Sequence, residues 1–166
     1  MMRWAARILV LLVVIATVIW AWRVFFPSPE RVIRKQLTEL AAAATIRPNE
    51  TPLAKAAKAQ SLTSYFTRDA EVLVNVPGHS ERTLSGKDEL LEAAMGVRAM
   101  LDSLNVEFVD IQVTVAPGKE SAAVSLTVKA TVSGQKDFLA QELAVAWTKV
   151  DRRWLIRRVE TIRTLL

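Results

Sequence analysis

The sequence predicts an α+β protein: an N-terminal transmembrane helix, then a domain of three helices packed on a strongly curved antiparallel sheet. Three observations predict it. An uncharged run, Ile8–Trp22, lies between Arg7 and Arg23 and contains no helix breaker. Three later segments open with helix-start signals. Beyond Leu104 the apolar residues change from helical spacing to strict alternation and keep it almost to the C-terminus.

The apolar run comes first in the chain. A bilayer core of roughly 30 Å needs about 20 apolar residues of helix. Extending the run to Trp4–Phe26 supplies them, with Arg7 and Arg23 near the interfaces and Trp4, Trp20, Trp22, Phe25 and Phe26 as interfacial aromatics. A cleaved signal peptide would share the basic start and the short apolar run. It would also need small residues at its exit, and this exit reads Trp20-Ala21-Trp22-Arg23. The expected division is residues 1–27 as a transmembrane anchor (or signal segment) and 28–166 as one domain. The long segment after the span favours a single-pass protein with its domain outside the cytoplasm, although basic residues flank both sides.

Without Arg3, Arg7 and Arg23 the chain holds 19 basic against 17 acidic residues. So balanced a surface argues against nucleic acid as a partner. The absence of cysteine excludes disulfides and thiolate metal sites, and one histidine with scattered carboxylates makes no ligand set. No cofactor or metal is expected.

Ser28-Pro29-Glu30 combines an N-cap residue, a first-turn proline and an acid at the positive end of the helix dipole. This helix should run to about Thr45 and bury Val32, Ile33, Leu37, Leu40 and Ala44. Thr51-Pro52 repeats the signal for a helix to about Tyr65. A strand over Glu71–Val76 ends at Pro77-Gly78. Ser85-Gly86-Lys87-Asp88 resembles a capping box opening a third helix, with Leu90, Ala94, Val97, Leu101 and Leu104 on its apolar face. Val109–Val115, Val124–Val132, Leu139–Trp147 and Trp154–Ile162 then alternate as strands joined by tight turns. Val106 and Phe108 are out of phase with Val109 and Ile111, which predicts a bulge near Phe108.

Three stretches carry a family resemblance: Ser64–Val74 (SYFTRDAEVLV), Leu84–Ala94 (LSGKDELLEAA) and Ala146–Glu160 (AWTKVDRRWLIRRVE). Their order and spacing resemble the nuclear transport factor 2-like superfamily, which includes ketosteroid isomerase-like and polyketide cyclase-like proteins. The resemblance spans about Ser28 to Ile162. It implies a cone-shaped domain with a cavity between helices and sheet. In the isomerase branch a carboxylate near the end of the first strand is the base, and the resemblance places it at Val74 or Asn75. The second acid would fall at Leu143 or Ala144. None of these four can do that chemistry, so the resemblance implies the fold without the isomerase acids.

The cavity-lining candidates are Tyr65, Asn75, His79, Gln141, Trp147, Arg158 and Glu160. Asn75 enters by the resemblance alone. His79 has the only side chain whose ordinary pKa is near neutrality, but on a loop it is more often a solvated residue. Tyr65 ends a helix, where a core aromatic with its hydroxyl at the rim is the plainer reading. Gln141 shares parity with Leu139, Leu143, Val145 and Trp147, so its amide needs a partner or a ligand. Trp147 and Trp154 read first as core. Arg158 and Glu160 share parity with Trp154 and Ile156; a bulge would turn them outward into a surface ion pair. The basic residues from Arg152 to Arg163 read as a solvated charge run, with anionic lipid or an acidic protein as the rival.

No acid–base or nucleophile–base pair stands at fixed spacing. The expected function is therefore a membrane-tethered, non-catalytic binding or assembly module that forms a homodimer through its sheet face and meets a protein partner in a membrane assembly. The alternative is a small-molecule enzyme of the cyclase-like or isomerase-like type, acting in the cavity.

Overall fold

The computed structural model describes residues 13–15, 17, 28–74, 82–132 and 138–165. Three helices, α1 (Pro29–Ala44), α2 (Pro52–Thr63) and α3 (Gly86–Met100), accompany six strands: β1 (Phe66–Val74), β2 (Arg82–Ser85), β3 (Leu104–Val115), β4 (Ser121–Val132), β5 (Phe138–Val150) and β6 (Arg153–Leu165). The strands form one curved sheet in the order β2-β1-β6-β5-β4-β3. β3 to β6 make the expected antiparallel meander. β1, however, pairs β6 in parallel, so the sheet is mixed, not wholly antiparallel. The parallel pair follows from connectivity, because α3 and the whole meander intervene before the chain returns to β1.

The helix starts behave unevenly. Thr51 caps α2: its hydroxyl accepts from the Ala54 amide at 3.3 Å. Ser28 makes no side-chain cap, and only its carbonyl takes the first-turn amides of Arg31 and Val32. At α3 the cap is carried by Glu89, whose carboxylate accepts from the Ser85 amide at 2.8 Å, and not by Asp88. Gly86 enters α3 at φ +83, a left-handed conformation that costs a side chain-bearing residue energy.

Several boundaries differ from the sequence expectation. α2 ends at Thr63, and β1 begins at Phe66 instead of Glu71. Between Phe66 and Glu71, four residues of β1 stand opposite one of β6, so period-two alternation is absent there. The short edge strand β2 was not foreseen. α3 ends at Met100, so Leu104 opens β3. Its buried face is also turned: Leu90 is buried, Val97 is 45 % exposed, and Arg98 is 3 % exposed. The β3 bulge lies between Val109 and Gln112, next to the predicted place, with Asp110 at φ 54. It lets Phe108 and Ile111 both pack towards the core despite their opposite parity.

The core lies between the helices and the sheet's inner face. Ile33, Leu37 and Leu40 of α1 meet Val124 and Leu126 of β4, Val145 and Trp147 of β5, and Trp154 and Ile156 of β6. Val32 and Ala44, expected to be buried, are only partly covered. Full burial of a side chain such as Ile33 or Leu37 contributes about 1.5–3 kcal/mol.

Candidate functional site

Cross-strand partners in an antiparallel ladder share a face, so the register defines the inner surface. Val128, Gln141 and Thr164 form one row across β4, β5 and β6; Leu126, Leu143 and Thr161 form another; Ala122, Trp147 and Ile156 form a third. Gln141 is buried at 7 % exposure, and its amide donates to the Thr164 hydroxyl at 3.2 Å. The Thr161 hydroxyl donates to the Leu73 carbonyl at 3.4 Å, tying β6 to β1. Trp147 is 1 % exposed, and its indole N–H meets no acceptor among the described residues. Gln141 and Trp147 share the face but lie six residues apart on β5, about 20 Å at strand rise. They do not converge.

Arg158 and Glu160 are on the other face. β6 carries one more residue than β5 between the pairs Ala146–Arg158 and Trp147–Ile156, and the extra residue is Arg157. That bulge reverses parity and turns Val159 inward instead. Arg158 pairs with Glu71 at 3.2 Å and with Glu160 at 3.5 Å, all three about half exposed. Tyr65 sits at the α2–β1 junction. Its hydroxyl donates to Glu39 of α1 at 3.3 Å, and its carbonyl accepts from the Ile156 amide at 2.8 Å. Burial, and then the neighbouring Glu39 carboxylate, pushes the Tyr65 phenol above its ordinary value. Asn75 and His79 lie outside the described residues.

The sequence reading missed the most buried charge in the described structure. Arg98 of α3 donates to Glu50 at 3.4 Å and to the Ala43 carbonyl at the end of α1. Lys58 of α2 donates to the other Glu50 oxygen, which also takes the Arg47 amide at 3.1 Å. The Lys58 hydrogen bond holds the Glu50 carboxyl below its ordinary pKa; the Arg47 amide and the two cationic charges add to this, and burial opposes it. For Arg98 the balance is reversed, with burial pulling it down and Glu50 opposing. One carboxylate thus joins α2 to α3, and Arg98 carries the link on to α1. The only sequence signal for it is an arginine at an apolar phase of α3.

Open hollows flank α3. One of about 610 Å³ lies between β2 and α3, lined by Thr83, Leu84, Glu89, Glu92, Val97 and Met100. Another, of about 180 Å³, lies between α2 and α3 beside Arg98. Among the described residues no group of three His, Cys, Asp or Glu side chains could hold a metal ion.

No family model matches the sequence, and no curated protein matches it. Solved structures do match. A putative scytalone dehydratase from Novosphingobium aromaticivorans aligns with TM-score 0.61 and 17 % identity, over 82 % of this chain and 84 % of that one. A domain of unknown function with a cystatin-like fold from Nostoc punctiforme gives 0.64 and 14 %, over 85 % and 80 %. An NTF2-like protein with a cystatin-like fold, also from N. aromaticivorans, gives 0.57 and 19 %, over 77 % and 79 %. The described residues between 28 and 165 thus have a fold of the α+β, cystatin-like class, three helices on one curved sheet. Within that class its fold is the nuclear transport factor 2-like fold, as the three sequence stretches implied.

Proposed function

We propose that this chain is a membrane-tethered binding or assembly module, in which the nuclear transport factor 2-like domain is held at the bilayer by residues 4–26. The composition of the sheet's inner face carries the reading. Gln141, Thr161 and Thr164 stand there among apolar side chains. Amides and hydroxyls bind through hydrogen bonds and contact; they do not exchange protons with a substrate at neutral pH. The buried ionic group, Glu50–Arg98, is engaged between the helices instead.

The anchor rests on the sequence. Most of Trp4–Phe26 lies outside the described residues, and among those described no helix is long and apolar enough to cross a membrane. Two details of the described part support it. Val13, Val14 and Ile15 are helical and 45–59 % exposed, which suits a lipid-facing turn. The Thr17 hydroxyl donates to the Val13 carbonyl at 2.8 Å, which satisfies it without water.

Fractionation of cells expressing the full chain tests the tether. The chain should sediment with membranes, resist an alkaline wash and be released by detergent; recovery in the wash would refute it. The domain's side of the membrane can be read from one introduced cysteine, because the chain has none of its own.

Homodimerisation belongs to the same proposal. The outer sheet face offers Ser125, Gln112 and an Ile162 that is 60 % exposed, around a hollow of about 220 Å³. Ser125→Cys should form an intermolecular disulfide on mild oxidation of the full chain in membranes. A chain that stays uncrosslinked and sediments as a monomer in detergent would exclude a dimer through this face.

A further inference from the structure

We infer that the end of the domain nearest the anchor is a docking platform for anionic phospholipid headgroups. The inference rests on the membrane-tethered reading and adds a second, electrostatic contact to it. Its basis is a juxtaposition that only the fold creates.

α1 starts at Pro29, so only Pro27 and Ser28 separate it from the end of the anchor at Phe26. The three Cα steps from Phe26 to Pro29 span at most about 11 Å. Whatever lies beside the first turn of α1 is therefore at headgroup level. The hydrogen bonds say what lies there. α1 runs antiparallel to β3: Thr45 contacts Val106 and Arg34 contacts Ile111, which directs the helix start towards the β3–β4 turn. Gln36 donates to the Trp154 carbonyl, close to the β5–β6 turn. The Lys149 amide donates to the Glu120 carbonyl at 2.8 Å and holds the two turns side by side.

Five cations stand at this end: Arg31 on α1, Lys119 in one turn, and Lys149, Arg152 and Arg153 in and beside the other. The carboxylates there are three, Glu30, Glu120 and Asp151. Among the described residues none of the five cations has a carboxylate within ion-pair distance. Arg31, Lys119, Arg152 and Arg153 are exposed.

The turn geometry adds an independent observation. Lys119 has φ 54, and Asp151 and Arg152 have φ 49 and 66. A two-residue hairpin turn with both residues left-handed normally ends in glycine, because a side chain there costs energy. Here an arginine occupies that position at the tip facing the bilayer. A cation kept at a strained turn position points to a function for the charge. Each basic residue close to an anionic surface strengthens attachment about fivefold at low salt, and the effect fades within a Debye length, about 10 Å at 0.1 M.

The test uses the full chain in vesicles of phosphatidylcholine, with or without phosphatidylglycerol. Gly118 lies in the β3–β4 turn, and a Cβ there would have nothing within 4 Å, so Gly118→Cys accepts an environment-sensitive label as the sole cysteine. Asp102→Cys, beyond the far end of α3, is the control. The Gly118 label should report headgroup contact with phosphatidylglycerol present and lose it in 0.5 M salt, while the control stays in water. Lys119→Gln with Arg152→Gln and Arg153→Gln should lower the docked-to-free ratio by about a hundredfold. Arg152→Gly should weaken docking while raising thermal stability, which separates lost charge from lost folding. An unchanged Gly118 signal in neutral and anionic vesicles, with the chain still embedded, overturns this inference alone. A chain that fails to float with neutral vesicles overturns the tether and the docking platform with it.

Discussion

Two buried polar sites among the described residues are built differently. On the sheet, Gln141 of β5 reaches Thr164 of β6, a neutral pair inside one ladder. Between the helices, Glu50 joins Arg98 and Lys58 and bridges segments up to 48 residues apart. The first is an incident of strand register. The second fastens α1, α2 and α3 to one another, and losing Glu50 would leave Arg98 and Lys58 without their carboxylate. A buried ion pair need not exceed a well-packed apolar substitute in stability, yet breaking one is costly.

That contrast can be broken where it is strongest. Arg98→Ala leaves Glu50 with Lys58 and the Arg47 amide but strands the Ala43 carbonyl, and should cost roughly 1.5–3 kcal/mol in equilibrium unfolding, the scale of hydrogen bonds to a charged group. A loss under about 1 kcal/mol would show that the ion cluster is not a fastening. Acidification separates the sites more finely. Because the folded pKa of Glu50 lies below its unfolded value, its contribution is present above the unfolded value and is lost as the pH falls through the folded one. Thermal stability should therefore fall as the pH drops below the ordinary carboxylate range. Glu50→Gln, already less stable at pH 7, should show a shallower decline. If both chains show equal slopes, the Glu50 assignment fails.

Gln141→Leu should cost about 1–2 kcal/mol, the scale of one neutral hydrogen bond and the polar partner it leaves. Its acid limb should match the parent's. Arg158→Gln sets the baseline: its ion pairs with Glu71 and Glu160 are half exposed, and the change should stay within about 0.5 kcal/mol. A loss above 1 kcal/mol there would mean that β6 turns the opposite face inward.

The sequence was legible wherever strands pair without interruption. β4 meets β5 over eleven consecutive residue pairs, and the parity that put Gln141 with Leu143, Val145 and Trp147 holds along that ladder. β6 breaks register twice against the same neighbour, and after the first break Arg158 and Glu160 point outward. Bulges of one residue leave no local composition signal on a strand this rich in charge. The β3 bulge could be anticipated only because the apolar residues Val106 and Phe108 change phase against Ile111. The Glu50–Arg98 contact was illegible for another reason. Glu50 looks like an ordinary surface charge in its own segment, Arg98 stands out only by its apolar helix phase, and only the approach of α2 and α3 encloses them. The apolar face assigned to α3 drifted for the same cause, since Arg98 occupies the position expected for Val97.

The parallel pairing of β1 with β6 also has a temporal meaning. Phe66 seats against Ile156, a strand that leaves the ribosome ninety residues later. Until then β1 has only the four residues of β2 as a strand neighbour, and α1 lacks the Trp154 and Ile156 part of its wall. Non-local closure of this kind is slow and leaves sticky surface uncovered while translation continues. The nascent domain would therefore remain open until its final strand is made, so a chain truncated within β6 would lose its last strand and, with it, the seating of its first.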